Sequence, residues 1–136
     1  MDGFEILEHT ADVGIRARSD SLEGVFEQAT WGLFDIMGAR VTGPGETIDI
    51  QLEGRDVEGL LVDWLNEVLY LQESRDAVLR DVKVERVTTM DVKGSVSMAP
   101  RQGHLEGTAV KAVTYHQLRV ARDDDGRWTA EVFVDV

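Results

Sequence analysis

Cysteine is absent from this chain of 136 residues. That excludes a disulfide scaffold, a thiolate metal site and a cysteine nucleophile. No apolar run approaches the roughly 20 residues a membrane helix needs. Met1-Asp2-Gly3-Phe4-Glu5 lacks the positive-then-apolar pattern of a secretion signal. A soluble, cytoplasmic protein without a membrane partner is expected. Positive charge is scarce: 14 Lys and Arg stand against 26 Asp and Glu, for a net charge of −12. Such a surface repels nucleic-acid phosphate and suits a basic protein partner or a metal cation, though charge also serves solubility alone. No serine sits in a nucleophile elbow, and no glycine-rich loop follows a strand to cradle phosphate. Repeats, linkers and low-complexity segments are also missing. With 43% apolar residues, the chain suits one domain over residues 1–136 with a single core.

What is there reads as alternating elements. Phe4 to Glu8 and Val13 to Arg18 are short extended segments around His9-Thr10-Ala11-Asp12. Asp20 to Met37 has apolar residues at three- and four-residue steps, the stripe of an amphipathic helix. Asp20 is the expected cap, with Glu23 in capping-box position, and Gly38 the expected left-handed stop. Thr47 to Leu52 alternates as a strand, and Asp56 caps a second helix ending near Glu73-Ser74. Alternation resumes at Val82 and Val84, slips near Arg86-Val87 as at a bulge, and returns from Val92 to Met98. Val110 to Val120 reads as one long strand with His116 on its apolar face and Lys111, Tyr115 and Arg119 on the other. Asp125-Gly126 turns the chain into a last strand ending in Val134-Asp135-Val136. The order is strand, helix, strand, helix, then an antiparallel meander of about four strands. This is an α+β fold with two helices packed on β-sheet.

No complete catalytic set emerges, so a non-enzymatic accessory protein is expected. Asp12 and Asp135 attract notice as carboxylates at the two ends of the chain. Brought together, they would repel one another unless a cation joined them. Oxygen-only ligands favour Ca²⁺, Mg²⁺ or Mn²⁺ over zinc. Spacing alone is met as well by a turn role for Asp12 and a solvated tail for Asp135, the commoner use of such residues. His9 can be a ligand or a hydrogen-bonded turn residue. His116 reads as a satisfied core histidine, and His104 as an exposed turn residue.

Five blocks resemble the archease family. They are His9-Thr10-Ala11-Asp12-Val13-Gly14, the first helix from Ser21-Leu22-Glu23 to Leu33-Phe34-Asp35-Ile36-Met37, and Leu61 to Tyr70 in the second helix. Lys111-Ala112-Val113-Thr114-Tyr115-His116 and Val134-Asp135-Val136 complete the set. They span nearly the whole chain in order. The resemblance implies a small cytoplasmic α+β protein that assists an RtcB-type RNA ligase in tRNA splicing and RNA repair. It implies faster guanylylation of that ligase and multiple turnover, with tRNA met only indirectly through the ligase. It further implies a divalent cation, calcium foremost, held by Asp12, Asp135 and a main-chain or terminal oxygen of Val136. His9 and Lys111 become candidate partner contacts or supports of the site. A general chaperone or specificity modulator of nucleic-acid-modifying enzymes is the alternative.

Overall fold

The computed structural model describes residues 2–9, 12–39, 43–103 and 105–136, His9 through its backbone only. Thr10, Ala11 and His104 lie outside the described residues. Strand β1 (Gly3–His9) pairs antiparallel with β2 (Asp12–Ser19), and helix α1 (Leu22–Met37) follows. Next come β3 (Glu46–Glu53), α2 (Val57–Arg75), β4 (Ala77–Val87), β5 (Asp91–Pro100), β6 (Ala112–Arg122) and β7 (Trp128–Asp135). The antiparallel α+β expectation holds. Its strands divide between two sheets, ordered β1-β2-β7-β6 and β3-β5-β4. The late meander is therefore two hairpins, one in each sheet. The first sheet joins both ends of the chain.

The helices bridge the sheets. Helix α1 lies against β1, β2 and β7 on one side and β4 on the other; α2 touches β6 as well as β3, β4 and β5. Their apolar stripes supply much of the core, with Phe26, Leu33, Phe34, Trp64 and Leu65 fully buried. Trp64 Nε1 donates to Thr30 Oγ1 at 3.0 Å, and Thr30 Oγ1 donates to the Phe26 carbonyl at 2.7 Å. The one polar edge of the tryptophan is thereby satisfied between the two helices.

The cap of α1 is a correction. Ser21, extended at φ −133°, accepts from the Gly24 amide at 3.0 Å, one residue later than Asp20. Asp20 instead pairs with Arg127 at 3.1 Å. Glu23 makes no capping box: its carboxylate accepts from the Val87 amide at 2.8 Å. Gly38 ends the helix at φ 71°, as the glycine predicts, and Asp56 caps α2 through the Gly59 amide at 2.7 Å. The slip near Arg86 is present as a register shift between Val84 and Arg86.

Candidate carboxylate site at the joined chain ends

Pairing of β2 with β7 brings the ends of the chain together. Val13 opposes Val134 and Ile15 opposes Val132. Asp12 and Asp135 each lie one residue beyond the Val13–Val134 pair, on the same side of it. Directly opposed residues of antiparallel strands have Cβ atoms about 4.5–5.5 Å apart. Ile15, Val132 and Val134 point into the core, so the period-two alternation sends both aspartates to the opposite, outer face. Both are exposed. His9 opposes Asp12 from β1, and Ala112 opposes Asp135 from β6. The Lys111 amide donates to the Asp135 carbonyl at 2.8 Å, so Lys111 reaches the site through its backbone.

Beside the aspartates lies an apolar floor. Phe133 is only 6% exposed although it faces outward. Its ring lies over Gly14, where a Cβ would meet the ring carbons at 2.7 Å. Glycine in this strand is therefore a demand of close approach. The His116 ring stands edge-on to Phe133, with centroids 6.2 Å apart.

His116 is the clearest correction. It is not a core histidine: its side chain is 59% exposed, and Nε2 lies 4.0 Å from Asp12 Oδ2. The cause is a break in β6. Thr114 opposes Phe133 and Arg119 opposes Glu131, so five residue steps on β6 face two on β7. Gln117 takes a left-handed φ of 53° within this bulge. The sequence alternation cannot carry through such a break. The strand also begins at Ala112, with Val113 buried at this end and Val110 buried just before it. Lys111, Tyr115 and Arg119 accordingly do not form one surface. Tyr115 faces Asp63 of α2, whose carboxylate, with a lesser contribution from burial, raises its phenol above the usual range. Arg119 lies at the other end of the sheet.

Among the described residues no group of three or more His, Cys, Asp and Glu side chains is arranged to hold a metal ion. Asp12 and Asp135 stand on the same outer face as a candidate two-carboxylate platform, each one residue past the Val13–Val134 pair, and Val136 follows the end of β7. These oxygen donors suit a hard cation completed by main-chain oxygen and water, and do not suit zinc. The 4.0 Å separation of His116 and Asp12 is too long for a direct hydrogen bond. Sequence reasoning missed His116, Phe133 and Gly14 as members of this site. A lone glycine within an apolar strand was the available signal.

The Archease protein family (MTH1598/TM1083) matches residues 4–136. This chain belongs to the archease family. Protein archease of Pyrococcus furiosus is 37% identical over the full length of both chains. That of Methanosarcina acetivorans is 36% identical over 98% of this chain and 95% of its own. Among solved structures, the chain is similar to protein 1598 of Methanobacterium thermoautotrophicum. The TM-score is 0.79 and the identity 30%, covering 98% of this chain and 99% of that one. It is also similar to an archease of Thermotoga maritima, described as a possible chaperone. Here the TM-score is 0.70 and the identity 25%, covering 96% and 94% of the two chains. Among the described residues no helix is long and apolar enough to cross a membrane.

Proposed function

We propose that this archease-family chain is a non-catalytic, cytoplasmic activator of an RtcB-type RNA ligase in tRNA splicing and RNA repair. In this reading it promotes guanylylation and multiple turnover of the ligase and meets tRNA only through it. A divalent cation, foremost Ca²⁺, sits on Asp12 and Asp135 with an oxygen of Val136. The observation that supports the reading is the side-by-side position of Asp12 and Asp135 across β2 and β7. A doubly charged ion there neutralises two neighbouring carboxylates and favours their ionised form. His9, at the end of β1, and Lys111, just before β6, flank that platform, where a partner contact would extend it.

The test is a ligation assay with purified ligase, RNA, GTP and divalent ion, counting turnovers with and without this protein. Asp12→Asn and Asp135→Asn are expected to fold normally, lose calcium binding by calorimetry and abolish the stimulation. Full stimulation by both variants would falsify the metal-dependent reading. Equal activity with and without the wild-type protein would remove the ligase. A general chaperone is the second reading, favoured only by the description of the Thermotoga maritima relative. Among the described residues, the exposed large apolar side chains of Tyr70, Met90, Tyr115 and Val136 belong to different elements or their ends. A chaperone needs them gathered in one broad patch.

A further inference from the structure

The outer face of the β1-β2-β7-β6 sheet has a second, opposite pole. Arg16 and Arg18 of β2, Arg119 and Arg122 of β6 and Arg127 beside β7 line one open cleft of about 600 Å³. These are five of the chain's 14 basic residues. They face two lining carboxylates, Asp123 and Glu131. The register explains the gathering. Arg16 opposes Glu131, Arg119 opposes the same Glu131, and Arg18 opposes Thr129, so arginines from two strands flank β7.

Their partners differ. Arg16 pairs with Glu5 at 2.9 Å and Glu131 at 3.6 Å. Arg127 pairs with Asp20 at 3.1 Å, and Arg122 lies 5.6 Å from the Trp128 ring centroid. Among the described residues, neither Arg18 nor Arg119 has a carboxylate within ion-pair distance, and both are exposed. In a chain of net charge −12, unpaired guanidiniums converging on one cleft are the unusual arrangement. Folding does not require them there, because the outer face is already wet.

We propose that this cleft binds the phosphate chain of a small di- or triphosphate, such as that of a nucleotide. Guanidinium forks match phosphate oxygens two at a time and stay charged at any working pH. The volume lies in the range of small-ligand sites. The acidic remainder of the molecule selects for size. A long polyanion such as RNA would extend beyond the cleft onto a repelling surface, whereas a short one keeps its charge within the cleft. The site is separate from the aspartates: Arg18 is six residues along β2 from Asp12, about 20 Å. The inference therefore stands independently of the ligase reading.

Calorimetric titration of the full chain in excess chelator, at low salt, tests it with inorganic triphosphate, ATP and GTP as probes. Saturable binding that weakens with salt is expected. Arg18→Glu with Arg119→Glu should lower affinity by about tenfold or more, with the thermal transition retained. Arg18→Lys with Arg119→Lys should keep the charge yet still weaken binding, because the fork is lost. Equal affinities for the three probes assign recognition to the phosphate chain alone, and tighter ATP or GTP binding assigns the source to nucleotides. Lack of saturable binding, or binding indifferent to charge reversal, overturns the proposal. So does tighter binding of a single-stranded RNA of about 12 nucleotides, which would make the face a nucleic-acid surface.

Discussion

At the scale of single residues, Gly14 and Phe133 set the shape of the candidate site. The ring occupies the space that any side chain at position 14 would need. Gly14→Ala is therefore expected to displace the ring from its edge contact with His116 and to cost about 1–3 kcal/mol, as overpacking does. Denaturant unfolding measures this. Phe133→Leu should relieve part of the cost in the double variant, and additive losses would show that the two positions do not act together. Tyr115 offers a titration. The Asp63 carboxylate is the main reason its phenol holds the proton to higher pH than usual. Asp63→Asn should bring the ionisation of Tyr115 down, read by ultraviolet absorbance in a Tyr70→Phe background. Because the folded value is the higher one, the native state keeps a proton that the unfolded chain has lost above about pH 10. Stability from this group is then intact below that pH and falls as the pH rises past it. The phenol is exposed, so the effect on stability is small and the spectroscopic shift is the measurement to trust.

At the scale of elements, the helices finish the sheets as well as covering them. Strand β4 is an edge of its sheet, and its Val84 and Val87 amides donate to Glu27 at 2.9 Å and Glu23 at 2.8 Å from α1. Strand β6 is an edge of the other sheet. There Asn66 of α2 gives its side-chain amide to the Val113 carbonyl at 3.0 Å and accepts from the Val113 amide at 2.9 Å. Helix side chains thus stand where the next strand would pair, which blunts both edges against other chains. Asn66→Leu leaves both Val113 groups unpaired. A loss of about 1–3 kcal/mol is expected in thermal or denaturant unfolding, with faster hydrogen exchange at Val113. These contacts mark the limit of what the sequence discloses. The helices were legible because their stripes repeat at three and four residues, and Gly38 and Asp56 act locally. Asp20 and Ser21 are both good caps by residue type, and only the tertiary pairing of Asp20 with Arg127 separates them. Glu23 looked like half of a capping box because its partner amide is 64 residues away. The β6 bulge was illegible for a related reason: alternation assumes an unbroken ladder, and His116 faces outward only because this one breaks. The meeting of Asp12 with Asp135 depends on pairing between chain ends, which periodicity within a segment cannot report.

At the scale of the whole molecule, charge is unevenly spread. The outer face of one sheet has carboxylates at one end, guanidiniums at the other, and Phe133 with Gly14 on the carboxylate side of the arginines. With a net charge of −12, the folded chain works against its own repulsion, and the cation proposed at Asp12 and Asp135 would offset part of it. Calcium at about 100 times its dissociation constant should therefore stabilise the fold by about 2.7 kcal/mol, seen as a rise in the thermal midpoint. The rise should vanish in Asp12→Asn and in Asp135→Asn. A rise of the same size in both variants would assign it to diffuse ion screening. In the proposed association with an RNA ligase, the same field would act on a second molecule. An RNA-binding partner presents a basic surface, which an acidic protein approaches down a long-range gradient. Screening between exposed charges shortens from about 30 Å at 0.01 M salt to about 3 Å at 1 M. Stopped-flow mixing of the two proteins should thus show an association rate that falls steeply with added salt while the dissociation rate changes little. A salt-independent association rate would mean that the two proteins meet through packed apolar contact, and that the acidity of this chain serves only to keep it in solution.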